Sequence, residues 1–109
     1  MSEQELPHLD PTAQLSALLG IGCRSGATVV GLSAVRRAKG LAFVFASSDL
    51  AQRTLRELTR LERGGTRVFQ VQAMEVLTQG FGREDAQVIG VLRGDLARGL
   101  SKHLKEQES

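Results

Sequence analysis

Apolar runs alternate along the chain with segments whose leucines recur at helical spacing. Four short apolar runs predict strands, at 27–30, 41–46, 66–71 and 86–92. The run at 41–46 is continuously apolar, as is typical of a central strand covered on both faces. Because helical patterns separate the strands, we predict an α/β fold: a three-layer α/β/α sandwich with a mixed central sheet of about four strands.

Turn and cap residues set the predicted helix boundaries. Asp10 as N-cap and Pro11 as first helical residue predict the start of the first helix, and the glycines within 20–26 predict its end. A short helix at 31–39 ends at Gly40, and Ser47-Ser48-Asp49 predicts the cap of a long amphipathic helix. Two further helices are expected at 73–79 and 96–105. We therefore expect one domain at 10–105, between a flexible arm at 1–9 and a polar tail at 106–109.

Composition narrows the class of protein. The 109 residues are 41% hydrophobic and 24% charged, which indicates a single ordinary globular domain. No apolar run approaches the ~20 residues that cross a bilayer, and the acidic start has no apolar signal region. A single cysteine, Cys23, fits a reducing compartment. We expect a cytoplasmic protein without membrane contact.

The net charge of +2 conceals an uneven distribution. Residues 11–48 contain no Asp or Glu, but they contain Arg24, Arg36, Arg37 and Lys39, so this segment carries +4 and the remainder −2. The segment predicts a localised positive field that would attract an anionic partner such as nucleic acid. Four ordinary solvated cations on the surface remain the alternative interpretation.

No motif indicates catalysis. The glycines at 20, 22 and 26 follow a helix and have the wrong spacing for dinucleotide binding. His8, His103 and Cys23 lack the spacing of a metal site, and the adjacent Glu84 and Asp85 have no nearby His or Lys partner. We therefore expect no enzymatic activity, no cofactor and no metal.

Two stretches resemble the kink-turn-binding ribosomal-protein superfamily, of the L-seven-Ae and L-thirty-e type. Residues 18–31 are similar to the opening helix of the family and its R-x-G-x-x-V-x-G turn. Residues 74–91 resemble the E-E-L-G-x-x-x-G-K helix and loop and the last strand. The apolar strand and acidic cap of the family are matched at 42–49.

The resemblance implies a monomeric RNA-binding module. In that family the N-terminal end of the second helix enters the RNA, and an apolar loop after the fourth helix covers a splayed base. Gly31 matches the family glycine, Arg37 occupies the family lysine position, and Phe81 would lie in the covering loop. The chain departs from the family at Ser33-Ala34, which replaces the base-reading Asn-Glu, and it is about four residues shorter after Ala38.

We therefore predict a ribosomal or ribosome-associated protein that contacts structured RNA, with ribosomal RNA and its kink-turns as the first candidates. The contact would involve the start of the second helix and the adjacent loop. A protein-interaction module on the same fold, without specific RNA readout, is the alternative. The predicted RNA-binding residues are Arg24, Gly31, Ser33, Arg36, Arg37, Lys39, Phe81, Gly82 and Arg83.

Overall fold

Helices and strands alternate in the computed structural model, which describes residues 6–82 and 85–108. The strands are β1 (Thr28–Val30), β2 (Leu41–Ser47), β3 (Arg67–Val71) and β4 (Val88–Leu92). The α-helices are α1 (Ala13–Ser25), α2 (Leu32–Arg37), α3 (Gln52–Thr59), α4 (Met74–Thr78) and α5 (Asp95–Glu108). Short 3₁₀ helices follow α3 at Arg60–Gly64 and α4 at Gln79–Phe81. The predicted α/β class is confirmed.

The four strands form one mixed sheet in the order β1-β4-β2-β3. β2 pairs with β3 in parallel, whereas β4 is antiparallel to both β1 and β2. The carboxyl ends of β1, β2 and β3 and the amino end of β4 therefore lie at the same end of the sheet. We name it the Gly31 end, because Gly31 follows β1 there. The opposite end is the Gly40 end, because Gly40 precedes β2.

Helices cover both faces of this sheet, so the predicted three layers are confirmed. On one face, α1, α4 and α5 pack against a core that includes Phe43, Phe45 and Phe69. On the other, α2 and α3 pack against the opposite side chains of the strands, including Val44 and Val68. The alternation of buried side chains between the two faces explains why β2 is apolar from Leu41 to Ala46.

The first helix starts later than its sequence pattern predicts, and it ends at the last of the glycines within 20–26. Thr12, not Asp10, is the N-cap, and its Oγ1 accepts a hydrogen bond from the Leu15 N–H at 3.0 Å. The helix continues through Gly22 and stops only at Gly26, which has a φ of 86°. An ideal Cβ on Gly22 would lie 2.0 Å from Thr28 Oγ1. Gly22 therefore allows α1 to pack closely against β1 and does not terminate the helix.

The cap predicted for the third helix is also wrong. Ser47 is the buried last residue of β2, and its Oγ accepts a hydrogen bond from the Asp49 N–H at 3.1 Å within the turn. The N-cap of α3 is Ala51, which makes no side-chain cap hydrogen bond. The serine hydroxyl thus stabilises the turn that leaves the sheet, and the helix begins after it.

Both boundaries of the folded unit differ from the prediction. Leu6, which the sequence placed in a flexible arm, is buried with the core of α2 and α3. The Gln70 N–H donates to the Pro7 carbonyl, and the Leu9 N–H donates to the Gln70 carbonyl, both at 2.8 Å. The described part of the arm therefore extends the sheet beside β3. At the other terminus, α5 continues to Glu108 through most of the predicted tail.

Candidate nucleic-acid interface

The described residues of the predicted RNA-binding set are divided between the two ends of the sheet. Gly31 and Ser33 lie where α2 begins, at the Gly31 end. Phe81 and Gly82 belong to the segment that leads to Val88, whose carbonyl accepts the Gly31 N–H at 2.7 Å. Phe81 is half-buried against the core under α1, and Gly82 has a φ of 69°. Arg83 lies outside the described residues.

The predicted cations lie at the opposite, Gly40 end. Arg37 is the last residue of α2, and Lys39 precedes Gly40, whose carbonyl accepts the Arg93 N–H at 2.9 Å. Arg24 is in the last turn of α1, directly before the start of β1. The cations and the helix start thus do not form one composite surface, as the sequence interpretation required.

The start of α2 offers little to a phosphate. The helix has only six residues, so few aligned peptide dipoles contribute to its N-terminus. The Gly31 N–H already donates to Val88, and Ser33 is exposed without capping the helix. Asp49 and Asp85 are exposed in the turns at this same end of the sheet. Their negative charge opposes an approaching RNA backbone.

Arg36 is held by an ion pair with α3. Its Nε and Nη2 atoms donate to the two carboxylate oxygens of Glu57 at 2.7 and 2.9 Å, a bidentate geometry. The hydrogen bond from Arg36 lowers the pKa of Glu57, and the same bond with Glu57 raises the pKa of Arg36. The positive charge of Arg36 is therefore balanced locally, whereas Arg37 forms no ion pair with a carboxylate of residues 6–82 or 85–108.

Glu57→Gln should lower the melting temperature at neutral pH, and this difference should become smaller in acid. Because folding lowers the pKa of Glu57, its contribution is complete above the ordinary glutamate value of about 4.3. It is lost as the pH falls through the lower folded value. Thermal unfolding at pH 7 and pH 3 measures this, with Glu62→Gln as a charge-matched control. A difference of the same size at both pH values would contradict the ion-pair account.

Five further arginines lie at the Gly40 end, all exposed. Arg60 and Arg63 lie in the 3₁₀ helix before β3, and Arg67 is the first residue of β3. Arg93 directly follows β4, and Arg98 lies near the start of α5. The carboxylates of the same segments are Glu62 and Asp95, and Asp95 pairs with Arg98. We define the basic cluster as Arg24, Arg37, Lys39, Arg60, Arg63, Arg67, Arg93 and Arg98.

Arg93 is anchored to the backbone by two hydrogen bonds. Its backbone N–H donates to the Gly40 carbonyl, and its Nη2 donates to the Gly64 carbonyl at 3.0 Å. It lines two clefts, one together with Arg60 and the other together with Arg67 and Arg98. A guanidinium has five N–H donors, so the bond to Gly64 leaves several for a ligand. Its two backbone contacts lower the entropy that binding would cost.

Sequence reasoning missed these five arginines because charge was assessed by segment. Arg60 and Arg63 belong to a segment of mixed charge at 49–63, which is typical of a solvated helix face. Arg67 and Arg93 lie beside strands whose pairing was not known. The positions of these cations relative to the strands could have revealed the cluster. Parallel strands start at the same end of a sheet, so cations before β2 and at the start of β3 must lie near each other.

No other chemical site emerges from the described residues. Among residues 6–82 and 85–108, no group of three His, Cys, Asp or Glu side chains could hold a metal ion. Cys23 is half-buried on α1. No helix in the described part of the chain has the length and apolar character needed to span a bilayer.

Comparison with known proteins supports the fold. No protein-family model and no curated protein matches this sequence. The chain is similar to a solved structure of a protein with unknown function from Bacillus halodurans C, with a TM-score of 0.67 and 25% sequence identity. The match covers 84% of this chain and 96% of that one. The shared architecture therefore extends over nearly all of the other protein.

Proposed function

We propose that the protein binds structured RNA through the basic cluster. The observation that carries this proposal is the convergence of eight exposed cations on one end of the sheet, of which Arg98 is paired with Asp95. β2 is seven residues long, so the two ends are roughly 20 Å apart. That separation exceeds two Debye lengths, each about 8 Å at physiological salt. An RNA backbone at the basic cluster would therefore be screened from Asp49 and Asp85 at the other end.

The proposal retains the RNA-binding role implied by the family resemblance and changes the contact surface. Ala34, in the place of a family base reader, has no hydrogen-bonding side chain. The Gly31 N–H is already engaged by Val88. Contacts from the basic cluster to phosphates supply affinity and orientation rather than base discrimination. A cytoplasmic protein of the kink-turn-binding superfamily, associated with ribosomal RNA by its backbone and shape, fits these features.

The aromatic side chains favour folded RNA over single strands. Phe43, Phe45 and Phe69 are buried and stacked on one another in the core, with ring centroids 5.9 to 6.4 Å apart. Phe81 is half-buried against that core. Single-strand binders stack successive bases on exposed aromatic rings, whereas the phenylalanine rings of this protein pack in or against its core. A cationic surface without exposed aromatic rings would recognise the shape and the phosphates of a folded RNA.

Arg37→Ala should weaken binding to a structured RNA hairpin about five- to tenfold at 0.1 M salt, because one phosphate contact is lost. Arg36→Ala, on the adjacent residue, should weaken it less than twofold, because Glu57 balances that charge. Fluorescence anisotropy over a salt series measures both. The salt slope should fall by about 0.7 to 0.9 for Arg37→Ala alone.

The adjacent arginines serve as matched controls, since both variants lose one charge from one short helix. Equal losses would show that the protein attracts RNA by total charge and would contradict a defined contact at the basic cluster. Absence of RNA binding at low salt, where phosphate contacts are strongest, would overturn the proposal in favour of a protein-interaction module.

A further inference from the structure

A cleft of about 370 Å³ opens within the basic cluster, between the start of β3 and the first turns of α5. It forms because small side chains face it from two directions. Ala42 lies on β2, and Ala97 and Ser101 lie one turn apart on α5. Phe43 contributes to the inner wall. The floor is therefore apolar, and the volume falls within the range of small-ligand sites.

Arginines surround this apolar floor. The Arg67 guanidinium carbon lies 5.2 Å from the Phe69 ring centroid and 5.9 Å from that of Phe43, so cation–π attraction positions the group. Arg93 is fixed by its bond to the Gly64 carbonyl. Arg98 completes the lining from α5, in an ion pair with Asp95. The cleft thus combines an apolar floor with three arginine side chains around it.

This combination complements one nucleotide. A base is flat and largely apolar on its faces, and guanidinium planes stack on bases as well as on aromatic rings. The 5′-phosphate beside it is an anion with oxygens placed for bidentate contact by arginine. A purely apolar ligand would gain no charge-assisted contact with the arginines, and inorganic phosphate would leave the floor exposed to water.

We propose that this cleft receives a single unstacked nucleotide of the bound RNA, with its base on the floor between Ala42 and Ala97 and its phosphate against Arg67 and Arg93. The inference rests on the proposed RNA-binding function and adds a preference that phosphate contacts alone do not give. An RNA with one unpaired nucleotide should bind more tightly than the same RNA fully paired.

The test uses two RNA hairpins, one with a single bulged 2-aminopurine and one with that base paired. The wild-type protein should bind the bulged hairpin about tenfold more tightly, within the range for stacking one base. The 2-aminopurine fluorescence should change on binding only in the bulged RNA. Ser101→Leu should fill the cleft and abolish the preference while leaving affinity for the paired hairpin within twofold.

Ala17→Leu is the matched control, since it adds an apolar side chain at an exposed site on α1, away from the cleft. It should leave the tenfold preference intact. Leucine is the better helix former, so Ser101→Leu should fold, and thermal unfolding checks this. The fluorescence arm tests the proposal on the wild-type protein alone.

The outcomes separate the two proposals. Equal affinity for both hairpins with unchanged fluorescence would overturn the cleft and leave RNA binding through the basic cluster standing. No binding of either hairpin would overturn both. If adenosine monophosphate binds as tightly as the bulged hairpin, the rest of the RNA contributes nothing to the affinity. That result would overturn RNA as the source of the nucleotide.

Discussion

Gly22→Ala should destabilise the protein by about 2 to 3 kcal/mol, although alanine is the better helix former by about 1 kcal/mol. The added Cβ would lie 2.0 Å from Thr28 Oγ1 and 2.4 Å from Leu96 Cδ2. Leu96 can change rotamer, but Thr28 is β-branched and buried in β1, so its χ1 is restricted. The helix and strand must therefore separate. Chemical denaturation should show the loss, with the melting temperature lower by roughly 10 °C.

Gly99→Ala provides the matched control on α5. A Cβ there meets nothing within 4 Å among the described residues, so the helix propensity of alanine should stabilise the protein by about 0.5 to 1 kcal/mol. Thr28→Ala tests the mechanism further, because Thr28 Oγ1 has no hydrogen-bond partner in the described chain. Combined with Thr28→Ala, Gly22→Ala should cost markedly less. A Gly22→Ala protein as stable as wild type would refute the close approach of α1 to β1.

Removing three cations from the basic cluster should nearly abolish RNA binding. With Arg37, Lys39 and Arg93 replaced by glutamine, affinity for a structured hairpin should fall about 100-fold or more at 0.1 M salt. Each lost phosphate contact removes about 0.7 to 0.9 from the salt slope, and the three losses add in the logarithm of affinity. Anisotropy titrations at several salt concentrations measure both quantities.

A second triple variant controls for total charge. Arg53, Arg56 and Lys105 are exposed cations on α3 and the later half of α5, outside the basic cluster. Replacing these three by glutamine changes the net charge by the same amount and should weaken binding less than about fivefold, through long-range attraction alone. Similar losses in both triples would contradict a localised interface.

The order of elements could be predicted from the sequence, because apolar runs and leucine spacing report burial directly. The starts of α1 and α3 could not be predicted, since capping depends on contacts made in the fold. Asp10 carries the stronger N-cap pattern, yet Thr12 accepts the hydrogen bond. Gly22 resembled a helix terminator, and its role is visible only once Thr28 of the neighbouring strand is placed against it.

The candidate site was harder to predict than the fold, because it depends on the sheet order. A window along the chain grouped Arg24, Arg36, Arg37 and Lys39 as one positive segment. It could not show that Arg67 and Arg93 lie at the same end of the sheet. That placement follows from the strand directions, because β3 is parallel to β2 and β4 is antiparallel to β2. Nor could it show that Glu57, on another helix, balances Arg36.

The central claim is that RNA contacts the Gly40 end of the sheet, and backbone amide resonances test it most directly. Both ends contain glycines, whose amide signals occupy a distinct region of a ¹H–¹⁵N spectrum. On titration with a structured hairpin, we predict chemical-shift changes at Gly40, Gly64 and Gly94, and little change at Gly31 and Gly82. Shifts confined to Gly31 and Gly82 would contradict the account and place the RNA at the start of α2.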